Sequence, residues 1–377
     1  MRVLMLSKAC IVGIYQRKLE YIAQAGVDLL TLVPPSWQDE RGEQVLERVH
    51  TEGYRLQETP IVFNGNFHTH FYTRLQDYIS EFAPHIVHID EEPYNLATWQ
   101  ALFFARLERT KTLFFSWQNI KREYPPPFSW GEKWVLSSSD YALVGTESAG
   151  DVWREKGYAG EMAVIPQFGT DETLFKPAPR PDRPFTIGYI GRLVEEKGVH
   201  LLLEACTQLT GDWQLRIVGS GPLDEDLQAL AREFGIAERI TWIDWVASTE
   251  MPAQYNAIDT LVLPSLTRPN WKEQFGRVLV EAMSSGIPAI GSDSGAIPGV
   301  IGEGGLVFPE GDIDTLAKHL SDLQNKADLR ELLGTAGRKR VIEHFTHKRI
   351  AQATVDVYRA MRPDIPLITD IAALRTR

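Results

Sequence analysis

Glu273 and Glu281 lie in the stretch Trp271 to Ser294, with seven residues between them. The apolar spacing predicts a helix that begins near Gly276, runs to Ser285 and is closed by Gly286. Glu273 then sits in the loop before the helix and Glu281 in its second turn. At a rise of about 1.5 Å per residue, the two carboxylates lie roughly 10 Å apart along the axis. That is too far for an acid/base pair acting on one atom, and it suits two contacts along an extended ligand. The amides of Gln274, Phe275 and Gly276 lie between them, at a helix N-terminus that favours anionic groups. Two solvated glutamates on a surface helix would show the same spacing, because Glu is usually exposed. The setting argues against that. Val278, Leu279, Ala282 and Met283 form an apolar stripe, strand Pro288 to Ser292 follows, and strand Thr260 to Leu263 precedes. The motif therefore falls at the carboxyl end of a βαβ unit, where open α/β sheets bind ligands.

A second stretch with chemistry runs from Gly188 to Gly198. A strand ends in glycine, followed by Gly191, Arg192 and, just before a helix, Lys197. Glycine lets a backbone approach a diphosphate, and two cations at the rim neutralise it. A salt-bridged turn using Glu195 and Glu196 is the competing reading. There is no Walker sequence. Gly219 and Gly221 match half of a dinucleotide fingerprint, but Asp224 stands at the third glycine position, so a nicotinamide dehydrogenase is rejected. Gly13 lies in the first loop of the chain ahead of a helix, and it either offers amides to a ligand or makes a plain tight turn. His68, His70, His85 and His88 show no metal-ligand spacing, and His88 reads as a packed histidine within a strand.

The elements that must position these residues alternate strand and helix in two halves. In the first half the strands are Val3 to Leu6, Val27 to Val33, Ile86 to Asp90, Thr112 to Phe115 and Tyr141 to Val144. The helices are Ile14 to Gln24, His70 to Glu81, Asn95 to Arg106, Trp130 to Ser137 and Glu147 to Lys156. Residues 36–67 are irregular, with a short antiparallel excursion expected around Tyr54 to Phe63. Lys176 to Pro184 is proline-rich and reads as a stiff linker. The pattern restarts at Thr186 and ends with a helix over Lys348 to Met361. The expected fold is therefore α/β, with two doubly wound parallel-sheet domains facing across a cleft. Residues 1–175 are the first domain, 176–184 the linker, 185–347 the second domain, and 348–377 a final helix and tail.

A length of 377 residues fits two domains. Hydrophobic residues make up 44% and charged residues 24%, as in ordinary globular proteins. A net charge of −11 argues against a nucleic-acid partner, and leaves open a local basic patch for peripheral membrane contact. The two cysteines, Cys10 and Cys206, form neither a disulfide framework nor a metal cluster, so the expected compartment is a reducing cytoplasm. Met1 to Ile14 reads as a first buried strand rather than a leader, because Ser7 and Lys8 interrupt it.

Together these pieces resemble the large family of retaining glycosyltransferases with the two-domain GT-B fold and the Glu-x7-Glu signature, glycosyltransferase group 1 or family 4. The resemblance rests on Glu273 with Glu281, Gly191-Arg192 with Lys197-Gly198, Ile165-Pro166 with Gly169-Thr170-Asp171, and Gly291 to Pro298. It implies a nucleotide-diphosphate sugar donor and a hydroxyl acceptor, with neither cofactor nor metal ion. By position, Arg192 and Lys197 would hold the diphosphate and stabilise the departing charge. Glu281 would take the ribose hydroxyls and Glu273 the transferred sugar. Gln274, Phe275 and Gly276 would lie near sugar and phosphate, Gly13 and Gly191 near the phosphates, and Trp245 and Val246 near the base. Many relatives carry a histidine where this chain has Trp117, and His88 keeps only the first histidine of a pair. The acceptor side is expected to use Glu91, Tyr94, Trp117, Gln118 and Asn119.

The resemblance implies a metal-independent retaining hexosyltransferase; no carboxylate in the first domain is an obvious covalent nucleophile, so same-face displacement assisted by the leaving phosphate is the expected mechanism. A nucleotide-sugar epimerase or phosphorylase on the same fold is the alternative enzyme, and a sugar-nucleotide binder without turnover the non-catalytic one. The base, the sugar, the acceptor and the oligomeric state are not legible in the sequence.

Overall fold

The computed structural model describes residues 1–39, 42–180, 182–244, 246–247 and 249–369. It divides into two compact units, Met1–Gly169 with His347–Arg377, and Thr170–Thr346. The division falls ahead of the proline-rich stretch, which lies in the second unit. Phe175 accounts for this: it is 2% exposed, and its carbonyl accepts a hydrogen bond from Ser284 Oγ at 2.7 Å.

The first unit holds a parallel sheet of seven strands. In spatial order these are Glu161–Val164, Tyr141–Val144, Lys111–Ser116, Ile86–Ile89, Arg2–Leu6, Asp28–Val33 and Arg55–Glu58. The central strands are nearly continuous buried, mostly apolar runs because both of their faces are covered. One face packs Leu75, Ile79, Ala97, Ala101 and Trp153 against Leu4, Val87 and Phe114. The other packs Leu19 and Ile22 of helix Arg17–Gln24 with Ile350, Val355 and Tyr358 of helix His347–Met361. Chain direction along the sheet reverses between Arg2–Leu6 and Ile86–Ile89, and the carboxyl ends of those strands form a switch point suited to ligands.

Local departures from the sequence expectation have physical causes. The first helix begins at Arg17, because two 3-10 turns, Lys8–Ile11 and Gly13–Gln16, precede it. Arg55–Glu58 is not part of an antiparallel excursion. It extends the main sheet in parallel alongside Asp28–Val33, with the Arg55–Asp28 ion pair at 3.0 Å beside the register Leu30↔Arg55. The antiparallel pairings are Ser36–Asp39 with Gly42–Val45, and Ile61–Val62 with Phe71–Tyr72. The latter takes the backbone of residues 71–72, so the helix expected from His70 starts at Leu75.

The second unit holds a parallel sheet of six strands. Their order is Ile240–Ile243, Trp213–Val218, Phe185–Ile190, Thr260–Leu263, Ala289–Ser292 and Gly305–Phe308. Here the direction reverses between Phe185–Ile190 and Thr260–Leu263. Among the described residues, no helix is long and apolar enough to cross a membrane.

Candidate functional site

The second unit's switch point gathers the residues singled out in the sequence. Strand Phe185–Ile190 ends at Gly191-Arg192, Leu193 turns into the core, and a 3-10 turn, Glu195–Lys197, presents Lys197. Gly198 closes that turn at φ 63°. A Cβ there would meet the Pro264 carbonyl oxygen at 2.1 Å, so only glycine lets the two strand ends approach. Behind the loop, a Cβ on Gly219 would meet the Gly191 oxygen at 1.9 Å. Lys197 Nζ donates to Glu273 Oε2 at 2.6 Å, and Ser265 Oγ donates to the same oxygen at 2.9 Å. The ammonium also lies 4.9 Å from the centre of the Trp271 ring. Glu195 pairs with Arg268 at 2.6 Å rather than with Lys197, and the exposed Arg192 forms no ion pair among the described residues. The salt-bridged turn is therefore not the arrangement found. A rim cation stands open beside a buried cation–carboxylate pair, a combination able to take a diphosphate.

The glutamate helix runs Arg277–Ser284, with Gly276 as its N-cap residue. Glu281 is 8% exposed; Tyr255 donates its hydroxyl to Oε2 at 2.6 Å, and Arg277 Nε lies 3.2 Å from Oε1. Burial pushes its carboxyl above the usual range, while Arg277 and the Tyr255 hydroxyl pull it back. Both carboxylates of the pair are thus buried, polar-bonded groups at the switch-point edge of the sheet, not solvated surface glutamates. Gln274 is exposed, Phe275 meets Phe345 edge-on at 5.7 Å, and Val246 packs against the core cluster that holds Leu279 and Met283. Trp245 lies outside the described residues.

At the first unit's switch point, Ser7 and Lys8 follow one strand, and Asp90, Glu91 and Glu92 follow its neighbour. Ser7 Oγ donates to Asp90 Oδ2 at 2.6 Å. Lys8 pairs with Glu91, which also accepts from Asn95 Nδ2 at 3.2 Å. Burial would raise the Glu91 carboxyl, but Lys8 and His70 outweigh it and hold it at about 2. Glu92, one residue on, is in the opposite state. Burial pushes it up to about 7, against Ser116 Oγ at 2.6 Å and the Trp117 amide at 2.8 Å, which both donate to it. Carboxyls driven apart in this way are the raw material of acid/base assignment. Beyond them lies an aromatic group in which Tyr94 and Tyr124 stand 4.7 Å apart, with His68 and Phe67 alongside.

Sequence reasoning placed Glu91, Tyr94, Trp117 and Gln118 here. It missed Lys8, His70, Glu92 and Tyr124. The acidic run Asp90-Glu91-Glu92 after a strand was the available signal for Glu92; Lys8 opens a short 3-10 turn, and His70 and Tyr124 come from loops with no periodicity. Trp117 is half-buried. Its ring covers Gly145, where a Cβ would meet Cε3 at 2.0 Å, and its indole N–H donates to Gln167 Oε1 at 2.9 Å. Gln118 and Asn119 are buried. The Gly13 amide donates to Glu47 Oε2 at 2.6 Å, and Val49 packs where a Gly13 Cβ would be. Here Gly13 offers that amide to the protein's own carboxylate. His88 is a packed histidine, with Nδ1 2.6 Å from the Tyr358 hydroxyl, and burial, then Lys18, holds it well below its usual value.

Residues 170–340 match the family described as glycosyl transferases group 1. A putative colanic acid biosynthesis glycosyltransferase, WcaL, of Salmonella typhimurium is 29% identical over 213 residues, 53% of this chain and 52% of that protein. A lipopolysaccharide 1,6-galactosyltransferase of the same organism is 32% identical over 215 residues, 55% of this chain and 57% of that protein. The chain thus spans about half the length of the curated relatives it matches. HepE of Anabaena, solved in complex with UDP, superimposes with a TM-score of 0.71 at 15% identity, covering 96% of this chain and all of that one. Residues 170–340 of the second unit are thus similar to the glycosyl transferases group 1 family, and the two parallel-sheet units have the α/β GT-B architecture.

Proposed function

We propose that the protein is a retaining, metal-independent glycosyltransferase that moves a hexosyl group from a nucleotide-diphosphate sugar to a hydroxyl acceptor. The observation that carries this reading is the Lys197–Glu273–Ser265 cluster at the second unit's switch point, with Arg192 open beside it. Arg192 and Lys197 would hold the diphosphate and stabilise the charge that develops on it as the sugar departs. Glu273 would bind the sugar hydroxyls. Glu281, its second oxygen pinned by Tyr255, would bind the ribose. The first unit would hold the acceptor near Glu92 and Tyr94, and Glu92 is the group there able to carry or release a proton near neutral pH.

Retention follows from the resemblance, with the leaving phosphate assisting attack on the same face. The base and the sugar are found by a thermal-shift screen of nucleotide sugars, since a ligand that binds only the native state raises its stability. With the donor in hand, addition of acceptor releases nucleoside diphosphate, and the product keeps the anomeric configuration of the donor by NMR. Excess chelator leaves the rate unchanged. Activity that vanishes with chelator and returns with Mg²⁺ or Mn²⁺ overturns metal independence, and an inverted product overturns retention. Donor turnover without acceptor, yielding an epimer, would favour the epimerase alternative.

A further inference from the structure

A cavity in the second unit lies away from the strand ends that carry Gly191 and Gly219. It has a volume of about 490 Å³ and is lined by Arg183, Gln214, Arg216, Thr241 and Asn256, among others. Pocket volumes of this order suit small ligands. Arg216 stands in register with Gly188 and Thr241, so it lies three residues before Gly219 on its strand. At about 3.3 Å per residue that is roughly 10 Å from the glycine loop.

The electrostatics of this cavity are unusual for a chain of net charge −11. Two arginines line it and no lining residue is acidic. Arg216 is half-buried, and its Nε and NH2 donate to one neutral acceptor, Gln254 Oε1, at 3.1 and 2.9 Å. Burial, then the like charge of Arg183, pushes its guanidinium below the usual value. Arg183 donates NH1 to Asp259, the same carboxylate that Arg180 approaches at 3.5 Å. Two arginines therefore share one carboxylate, and Arg216 faces only a neutral amide oxygen. The Nε and NH2 of Arg183, the edge that binds an oxyanion two-pronged, are closed to solvent and have no hydrogen-bond partner among the described residues, so a ligand in the cavity would meet them once the side chain turns toward it. Native proteins rarely leave such donors unmet, and each one calls for an explanation such as an ion.

We propose that this cavity binds a phosphate-bearing small molecule, with Arg183 and Arg216 as its cationic contacts. The site is separate from the donor site and does not depend on the function proposed above. A phosphate monoester fits better than a carboxylate, because its three terminal oxygens can accept from two arginines and from Thr241 or Asn256 at once.

Isothermal titration with inorganic phosphate, then glycerol phosphate, then acetate tests it on four proteins: the wild type, Arg192→Ala/Lys197→Ala, Arg183→Lys/Arg216→Gln, and the two pairs combined. Arg183→Lys keeps a cation against Asp259 while removing the two-pronged edge, and circular dichroism confirms that each variant is folded. Phosphate binding should persist in the donor-loop variant and weaken at least about tenfold when Arg183→Lys/Arg216→Gln is added to it, the scale of one lost charge-assisted contact. Glycerol phosphate should bind at least as well as phosphate, and acetate more weakly. Phosphate binding that disappears in the donor-loop variant, that persists when Arg183→Lys/Arg216→Gln is combined with Arg192→Ala/Lys197→Ala, or that is absent from the wild type overturns the proposal. Acetate binding equal to phosphate overturns the phosphate assignment.

Discussion

Lys197→Met and Glu273→Gln remove the two ends of one ion pair, and the structure predicts different consequences for each. The pair is 2.6 Å long, with side chains 18% and 9% exposed, so it is far from a surface pair of negligible worth. Stranding one partner of a buried pair costs about 3–5 kcal/mol. Ser265 still donates to Glu273 in Lys197→Met, which places that variant near the lower end, at about 3 kcal/mol. In Glu273→Gln, Lys197 can donate to the amide oxygen and still rests on the Trp271 ring, so the loss should be about half as large. The double variant should cost less than the sum by about 2 kcal/mol, because the two residues share one interaction. Ligand binding separates them further. Under the proposed function, Lys197→Met removes a charge-assisted phosphate contact and leaves a carboxylate facing the diphosphate. Free nucleoside diphosphate should then bind roughly ten- to hundredfold more weakly. Glu273→Gln leaves Lys197 in place but removes the negative charge that competes with a diphosphate for it, so that affinity should hold or improve while transfer from the sugar donor collapses. Urea unfolding, titration with the nucleoside diphosphate and initial rates read the three quantities. Equal losses of nucleotide affinity in the two single variants, or strictly additive stabilities, would refute this account of the pair.

Tyr255→Phe removes the hydroxyl bonded to the buried Glu281 and should cost about 1.5–3 kcal/mol near neutral pH, and less in acid, where the carboxyl is protonated; urea unfolding at the two pH values checks it. Glu92 has a folded value of about 7 against an ordinary 4.5, so the native first unit holds an extra proton between them and loses stability as pH rises through that window. Glu92→Gln should flatten the dependence of melting temperature on pH between these values, whereas Glu91, held at about 2, contributes stability that is present above 4.5 and lost as pH falls towards 2. Trp117→Phe loses the bond to Gln167 and should cost about 1 kcal/mol, read as a lower melting temperature. A raised acceptor KM at unchanged melting temperature would instead place the ring in the acceptor site.

The alternation of strand and helix in two halves was legible from Val, Leu and Ile runs broken by glycine and proline, because parallel strands buried on both faces need such runs. Glu273, Glu281, Arg192 and Lys197 were legible because each lies within a few residues of a strand end or helix start. Local pattern could not say which strand stands beside which. Only the strand order puts Phe185–Ile190 next to Thr260–Leu263, and so brings Lys197 to Ser265 and Glu273 across 76 residues of chain. The same holds for Lys8 with Glu91, for Tyr255 with Glu281, and for Glu47 on the Gly13 amide. The opposite states of Glu91 and Glu92 are further still from the sequence. Two adjacent glutamates are chemically identical as written. Their proton affinities part because one faces a lysine and the other a hydroxyl and an amide within the same buried volume, and a carboxyl's affinity for its proton is set by what surrounds it.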